Sequence, residues 1–560
     1  MDTFNTSKRT LWISFTCLTA IYAVLWMALP DGFWINDNGC KFIQMKGLIE
    51  THYRQLAIPW PGRDLDPAFA YNPLPLPFGR ILHGRLYGYY SDTFALVTSV
   101  AYEAFGFKGI TLIPLLSGLL LLGAIWRITD LLPGRRHAKP LSLLVAGLCT
   151  PVLFYSMTYW EHITASACIV WSIFFRLRYD SERPRSNTVI SAFLCGLAIY
   201  FRDELLVLAL ALAIVPLAYS VRRWKTHALF VCMMAITLVP LWATNLSAYE
   251  NILGKHLGTS AFSSGAAAYL VDRWHVFRVL LINSHASLLI SIMVSMPYLL
   301  LLVLGPLVRR LPRERMILIL ATTASTCGAV ILWGHLHSSK PVWWLLSSNA
   351  MFATSPGLIF AFLHQCPRQD THERHLFEKQ LWSIMIVFIL AYIMITPGGS
   401  VAGIHWGCRF WLPLYAILSA LAASQLAQWW ESGSKQKVTL CLIVSAMALS
   451  LGTQAYSMKL LHHRNAFSVK LNECVAGNQE NVVITIGWHL PQDLAMNFYS
   501  KRIFSAKSEA DIDGLRQLMI QKGIPAVQLV SAQPLQMKDP VIVEDGLNFS
   551  RIEIYSLKLF

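Results

Sequence analysis

Charged side chains are scarce in this chain. They make up 14% of its 560 residues, where a soluble protein of that length needs roughly a quarter to cover its surface. A water-soluble multidomain enzyme, a disordered chain and a coiled coil are therefore excluded. Spaced cysteine pairs are lacking as well: the eleven Cys contain no C-x-x-C and no C-x-x-x-C, which argues against a structural zinc site and a disulfide framework. Cys17, Cys149, Cys168, Cys195, Cys232, Cys327 and Cys441 lie within apolar runs and read as small buried hydrophobes. The C-terminal hundred residues carry no phosphate loop or nucleotide fingerprint.

Apolar length is what the chain has instead. Hydrophobic residues reach 55% and mean hydropathy is +0.47. Apolar runs of roughly 16 to 24 residues recur to Tyr456, the length of membrane-spanning helices. They predict spans over 11–30, 110–132, 141–157, 162–177, 188–201, 204–221, 228–248, 285–308, 316–334, 350–365, 381–397, 410–430 and 438–456. The fold class is thus a polytopic α-helical membrane protein with about 13 transmembrane helices. The first run, Leu11–Leu29 behind Lys8 and Arg9, reads as a retained signal-anchor with the N-terminus in the cytoplasm.

The formal charge of +15 raises the question of nucleic acid, but the Lys and Arg fall in short clusters between apolar runs rather than in one basic face. Arg135–Lys139, Arg176–Arg185, Arg222–Lys225, Arg309–Arg315, Arg368–Lys379 and Lys435–Lys437 all fall on one side of the predicted topology, as the positive-inside rule requires. Nucleic acid is not an expected partner; membrane lipid is. The expected arrangement is multi-pass, with the C-terminus on the outer side.

The outer segments differ in kind. Residues 31–109 form a large first periplasmic loop with Pro-rich stretches (Pro59-Trp-Pro61, Asn72-Pro-Leu-Pro-Leu-Pro77), and within it Asp92–Phe107 reads as a helix lying on the membrane. Residues 1–456 are the expected transmembrane domain and 457–560 a small C-terminal periplasmic α/β domain. Its strands are predicted at Asn481–Gly487, Pro525–Val530, Val541–Val543 and Arg551–Leu557, with a helix over Ala510–Lys522.

Ionisable residues at the outer ends of spans are the candidates for chemistry, since a charge next to lipid is costly. Asp37 follows span one; it is suited to be a general base toward an acceptor hydroxyl, or a cap for a helix beginning near Gly39. Glu161-His162 lies in the short turn between spans 3 and 4, where Glu161 either works with Asp37 or caps a helix. Arg202 in Phe201-Arg202-Asp203-Glu204 offers a forked donor for phosphate, or pairs locally with Asp203 or Glu204. Arg409, within Gly403-Ile-His405-Trp-Gly-Cys-Arg409-Phe-Trp-Leu-Pro413, opens span 12 against the positive-inside trend; it meets an anionic headgroup or snorkels to the interface. Lys41, Lys46, Arg63, Arg80, Arg85 and Lys340 are further outer cations. His335 and His337 form a weak metal pattern, Trp343-Trp344 and Trp429-Trp430 look like interface anchors, and Cys40 and Cys408 are candidates for pairing in an oxidising compartment.

Taken together, Asp37 with Gly39-Cys-Lys-Phe-Ile-Gln44, Gly84-Arg-Leu-Tyr-Gly-Tyr-Tyr-Ser91, Tyr159-Trp-Glu161-His162, Phe201-Arg202-Asp203-Glu204 and Trp406-Gly-Cys-Arg409-Phe-Trp-Leu-Pro413 resemble the GT-C superfamily of integral membrane glycosyltransferases. The likeness is to bacterial relatives of the dolichyl-phosphate-mannose protein mannosyltransferases and of the aminoarabinose transferase acting on lipid A. The resemblance implies inverting transfer of a sugar from a polyprenyl-phosphate carrier to a periplasmic acceptor, whether lipid, glycan or protein. Asp37 and Glu161 would be catalytic, Asp37 as base. Arg202, Arg409, Lys41 and Arg85 would bind the donor phosphate, and His162, Tyr90 and His405 would contact the acceptor or play a secondary part. The double-acid motif of some relatives is replaced by Glu161-His162, so no cofactor is firmly implied beyond a possible divalent cation. A glycan polymerase or ligase shares the same site logic. A lipid-linked sugar flippase would need midplane charges and a repeat between halves, which the sequence lacks.

Overall fold

Lipid leaves unpaired backbone groups nowhere to go, so apolar runs of this length fold as helices. The computed structural model of the protein describes residues 2–132, 135–178, 184–257, 265–277, 279–280, 315, 318–319, 322–323, 351–363, 372–397, 401, 405–431, 437–535, 537, 540–544 and 550–559. The predicted spans 285–308 and 316–334 fall almost wholly outside the described residues, as do His335, His337, Lys340, Trp343-Trp344 and Gly403.

Helix α1 (Asp2–Ala28) leads into the first loop, which holds α2 (Asn36–Glu50) and an antiparallel hairpin of β1 (Gly79–Leu82) and β2 (Arg85–Gly88). The bundle continues through α3 (Asp92–Asp130), α4 (Arg135–Leu148), α5 (Val152–Met157), α6 (His162–Leu177), α7 (Pro184–Phe201), α8 (Leu206–Tyr219) and α9 (Trp224–Tyr249). Short α10 (Gly254–Leu257), α11 (Ala266–Phe277) and α12 (Met351–Thr354) precede α13 (His372–Ile395), α14 (Leu412–Glu431) and α15 (Lys437–Gly477). Among the described residues, Asp92–Asp130, Val221–Tyr249, Glu373–Ile395 and Arg409–Glu431 are long and apolar enough to cross a membrane; Trp12–Ala28 and His162–Leu177 are apolar but shorter. Nearly all of α14 is buried, against α4, α3, α6 and the 3-10 segment Pro356–Phe362. It is a central helix, and its first turn opens into the interior.

The predicted helix Asp92–Phe107 and the span that follows it are separate segments of α3, divided at Gly106 (φ 61°, ψ −148°) by a turn so sharp that a Cβ on Gly109 would stand 1.9 Å from the Ala101 carbonyl oxygen. Three expectations change. Span 141–157 divides into α4 and α5 on either side of Thr150-Pro151, because proline lacks an N–H and disfavours helix in the residue before it. For the same reason 350–365 is not one helix: α12 stops at Thr354, and Pro356–Phe362 continues as 3-10. Finally, there is no break at Tyr456. Helix α15 runs 41 residues to Gly477, about 60 Å at 1.5 Å per residue, twice the thickness of a hydrocarbon core. Leu460, Leu461, Phe467, Leu471 and Val475 keep an apolar stripe buried beyond residue 456, with no proline or glycine to end it.

Past α15 the chain forms a five-stranded sheet ordered β4-β3-β5-β7-β6. Its members are β3 (Val482–Ile486), β4 (Arg502–Ala506), β5 (Ala526–Ser531), β6 (Val541–Glu544) and β7 (Arg551–Lys558), with α16 (Leu490–Asp493) after β3 and α17 (Glu509–Gln521) after β4. Strands β4, β3 and β5 are parallel, and β7 and β6 antiparallel. This unit packs directly on the first loop. Trp60 Nε1 donates to the Ile503 carbonyl (3.0 Å), Gln492 Nε2 to that of Pro73 (2.9 Å) and Tyr499 OH to that of Ile43 (2.8 Å). Arg502 pairs with Asp64 at 2.7 Å.

The tightest approach is at Gly39 of α2. A Cβ there would stand 1.9 Å from the Gln492 carbonyl oxygen of α16; only glycine lets these backbones meet. Gly39→Ala is expected to push α16 off α2, destabilising the protein by about 1–3 kcal/mol, the usual range for overpacking. Denaturant unfolding of the detergent-solubilised protein checks this, and unchanged stability would show that the contact is not tight.

Candidate active site

Four chain segments far apart in sequence bring their helix ends to one place: the N-termini of α2, α6 and α14 and the C-terminus of α7. Asn36 and Asp37 open α2, and Asn38 holds that turn down. Its Oδ1 accepts from Ile35 N (3.2 Å) and its Nδ2 donates to the Tyr159 carbonyl (2.6 Å), in the turn before α6. Gln44, two turns on, donates to the Tyr90 carbonyl (3.1 Å) and to Asp92 (2.5 Å), which fixes the residues after β2 against the same helix.

Asp37 accepts hydrogen bonds from both sides, from Arg409 NH1 (2.9 Å) and from Tyr90 OH (2.6 Å). One turn along α2, Lys41 lies 3.4 Å from Glu161 Oε2, each side chain at most 2% exposed. Its ammonium sits 3.8 Å from the centroid of the Tyr90 ring. Glu161 Oε1 accepts from Arg202 NH1 at 2.7 Å, and Arg202 Nε donates to Glu204 Oε1 at 2.7 Å. Trp160 supports two of the cations: its ring centroid is 5.0 Å from Arg409 and 5.5 Å from Lys41, a geometry that favours cations over an aromatic face. The result is one connected cluster of three cations (Lys41, Arg202, Arg409) and three carboxylates (Asp37, Glu161, Glu204).

Most sequence-predicted residues therefore meet. Asp37, Lys41, Tyr90, Glu161, Arg202 and Arg409 are in direct contact. His162 is the first residue of α6, its Nδ1 4.0 Å from Glu161 Oε1, and buried His405 packs 6.1 Å from Trp160, centroid to centroid. Arg85 does not join them. It is exposed beside the hairpin turn, paired in register with Leu82, because a two-residue turn carries its flanking side chains outward. The local pairing considered for Arg202 does occur, with Glu204, but the same guanidinium reaches Glu161. Arg409 does not snorkel; its side chain is 10% exposed and ion-paired. Cys40 and Cys408 are buried free thiols. Trp160, Glu204 and Phe410, whose ring centroid is 4.8 Å from Arg409 and 5.9 Å from Arg202, were missed as site residues, although each adjoins a candidate or lies two positions from one.

Electrostatics sharpen the picture. Burial works against ionisation of Asp37, but the charges of Arg409 and Lys41 and the bonds from Tyr90 and Arg409 outweigh it, holding the carboxyl well below the usual carboxylate range. Burial lowers Lys41, opposed by Glu161 and Asp37. Burial, then the charge of Asp37, pushes the Tyr90 phenol up, so it remains a proton donor. Asp203 is raised, first by burial and then by the charge of Glu204.

A divalent cation does not fit these residues. Among the described residues no three His, Cys, Asp or Glu side chains lie close enough to hold one, and both Asp37 and Glu161 are already matched to cationic side chains. An anion fits better. Three donors, Lys41 Nζ, Arg409 Nε and Trp160 Nε1, are buried without a hydrogen-bond partner, as are both His162 ring nitrogens, one of them a donor in the neutral ring, and on the acceptor side Glu161 Oε2, an unusual concentration of unfilled polar atoms.

A second polar cluster lies alongside. Asp92, first residue of α3, accepts from Lys255 (2.9 Å), Tyr249 (2.5 Å) and Gln44, tying α10 and the end of α9 to the first loop.

No family model and no curated protein matches the chain. Among solved structures, it is similar to ArnT from Cupriavidus metallidurans bound to undecaprenyl phosphate (TM-score 0.48, 16% identity, 97% of each chain covered). The apo state of ArnT from the same organism gives 0.47, 14% identity and 97% of each chain. The archaeal oligosaccharyltransferase AglB from Archaeoglobus fulgidus, in complex with an inhibitory peptide and a dolichol-phosphate, gives 0.45 and 12% identity, covering 92% of this chain and 69% of that one.

Because folding depresses the Asp37 carboxyl, its contribution to stability is complete above the ordinary carboxylate pKa of about 4 and is lost as pH falls toward the folded value. Unfolding measured from pH 7 down to pH 3 is expected to show an acid-side loss that is smaller in Asp37→Asn and in Arg409→Gln. Equal acid slopes in all three proteins would mean that the pair does not carry this linkage.

Proposed function

We propose that the protein is an inverting glycosyltransferase of the GT-C kind, taking a sugar from a polyprenyl-phosphate carrier and passing it to an acceptor hydroxyl at the outer face of a bacterial inner membrane. In this reading the N-terminus is cytoplasmic, the chain crosses the membrane about thirteen times, and the first loop and C-terminal unit are periplasmic. The observation that carries it is the cluster itself: a carboxylate, Asp37, bonded by Arg409 and facing Lys41, both with N–H capacity to spare, and Arg202 joined to the same cluster through Glu161. That is the composition needed to take one proton and to neutralise one departing phosphate.

The chemistry follows from the charges. Asp37 accepts the proton of the acceptor hydroxyl as its oxygen attacks the anomeric carbon. The bond from that carbon to the phosphate oxygen breaks, and the carrier leaves as a phosphate monoester with one more negative charge than before. Arg409, Arg202 and Lys41 stabilise that growing charge, which is where fixed donors contribute most. Glu161 holds Arg202 and Lys41 apart and in place, and Tyr90 orients the Asp37 carboxylate. His162 and His405 flank the acceptor side.

The resting carboxylate is a weak base, because Arg409 and Tyr90 stabilise its ionised form. The donor phosphate changes this. Three cations and three carboxylates leave no excess positive charge, so an arriving phosphodiester competes with Asp37 for Arg409. As Arg409 turns to phosphate, Asp37 loses its largest attractive partner and its basicity rises when the acceptor needs it.

Asp37→Asn is expected to lower transfer by about 10²–10⁴-fold, the range for loss of an acid–base group, while leaving undecaprenyl phosphate binding within a few-fold. Arg409→Ala is expected to weaken that binding. The assay uses radiolabelled undecaprenyl-phosphate sugar with membranes from a deletion strain, scoring one sugar added per acceptor. Near-normal turnover in Asp37→Asn would refute the assignment, and polymeric product would favour a polymerase. In Arg409→Gln, the acid limb of kcat/KM is expected to move to higher pH, since the carboxyl returns toward its ordinary range; an unmoved limb would rule out Arg409 as its cause.

A further inference from the structure

At the carboxyl end of β3 the chain turns at Gly487 (φ 138°), a backbone conformation that favours glycine, and the next residue, Trp488, is 60% exposed. A single exposed aromatic is ordinary; one whose ring is fixed by its neighbours offers a ready flat face for stacking. Trp488 is held. Its ring stacks on that of Phe78, centroids 5.4 Å apart and 9° from parallel, and meets His489 edge-on at 5.6 Å. Phe78 is buried. The indole is therefore a rigid plate, braced from one side by the first loop and flanked by His489 and by Asp493, whose Oδ2 is 4.0 Å from His489 Nε2.

Its position is as informative as its shape. Strand β3 is the central member of the parallel set β4-β3-β5; the chain leaves β3 toward β4 and leaves its neighbour β5 toward β6 on the opposite side, and ligands of open α/β sheets sit outside the carboxyl ends of strands at such a point. Two short links lead from the plate to the Asp37 cluster. The Phe78 carbonyl accepts from Tyr89 N (3.1 Å), one residue before Tyr90. The helix that follows Trp488, α16, rests on α2 at Gly39, two residues after Asp37. Burial, and then the charges of Asp37 and Asp493, raise the Cys40 thiol, which places both acids beside the same turn of α2.

We infer that Trp488, braced by Phe78, is a stacking platform for a pyranose ring of the acceptor, with His489 and Asp493 bonding to its hydroxyls at the rim of the site. The inference rests on the glycosyl-transfer reading above and names the acceptor class as carbohydrate. A pyranose has an apolar C–H face and a polar hydroxyl edge, which matches an aromatic plate with an imidazole and a carboxylate beside it. A lipid surface matches less well: membrane-facing aromatics are accompanied by basic residues, whereas the ring contacts of Trp488 are Phe78 and His489, and His489 faces the Asp493 carboxylate.

The test uses the full-length protein in lipid nanodiscs. The probes are the core oligosaccharide released from lipopolysaccharide and chitotetraose, followed by saturation-transfer NMR. Wild type is expected to bind at least one of the two, with saturation strongest on ring C–H protons. Trp488→Ala is expected to weaken binding about tenfold, as loss of one aromatic stack does, and Trp488→Phe to stay within about threefold. Absence of binding by wild type, or equal binding by Trp488→Ala, overturns the inference. So does broadening of the fluorine resonance of 5-fluorotryptophan at position 488, assigned with Trp488→Phe, by spin-labelled lipid; that outcome would make it a membrane contact. Undecaprenyl phosphate binding, measured in parallel on wild type and Arg409→Ala, tests the donor reading separately. If Arg409→Ala loses the lipid while Trp488→Ala binds sugar normally, only the platform fails.

Discussion

The ion pair between Asp37 and Arg409 joins residues 372 positions apart, and the geometry of the site depends on it. Breaking a largely buried pair by removing one partner costs about 3–5 kcal/mol, because the other charge is left stranded. The pair therefore constrains where the ends of α2 and α14 can lie. Glu161 with Arg202 does the same for the start of α6 and the end of α7, and Lys41 joins the two pairs by facing Glu161 from the α2 side. Charges that would be intolerable singly are stable as a set, so the helix ends that carry them must assemble together or not at all.

That requirement also explains the central helix. Arg409 opens α14, which is buried along nearly its whole length, so its guanidinium cannot reach solvent and must find a partner inside. Asp37 reaches it because α2 is fastened at both ends of its first two turns, by Asn38 to the Tyr159 carbonyl and by Gln44 to Asp92 and the Tyr90 carbonyl. The C-terminal unit closes the other side of α2. Long α15 carries the sheet out to the first loop, and the Gly39–Gln492 contact seats α16 against the helix that bears the carboxylate.

How much of this was legible depended on whether the signal was local. Asp37, Glu161, Arg202 and Arg409 stood out because a charge at the end of an apolar run is conspicuous, and their meeting follows from their being on one side. The strands Val482–Ile486 and Ala526–Ser531 were legible as short apolar runs between turn residues. Arg502–Ala506 was not, since its pattern begins with charge and includes Ser505, and its pairing with β3 is non-local. Proline at 151 and 356 gave a readable break that hydrophobic length concealed, and the stripe from Leu460 to Val475 hid the end of α15. Arg85 resembled a ligand by charge alone; its exposure follows from the hairpin, which the short runs around Gly84 did not announce. Trp160 and Phe410 were invisible as cation supports because an aromatic beside a charge has many other uses.

The cluster has a consequence for the order of events under the proposed chemistry. An acceptor arriving first meets a carboxylate already holding two hydrogen bonds and lying well below the usual carboxylate range, a poor partner for a neutral hydroxyl. A donor arriving first meets cations with unfilled N–H groups and takes part of Arg409 from Asp37. Only then is there a base, and it appears beside the anomeric carbon that the phosphate has brought with it. Water faces the same weak base until the donor is bound. After that it must compete with an acceptor gathered at the rim, and a site that recruits its acceptor through stacking there gains over water by proximity rather than by acidity. The same neutral balance of charges that stabilises the resting site thus makes base strength conditional on the phosphate, and leaves the choice of nucleophile to the surfaces around it.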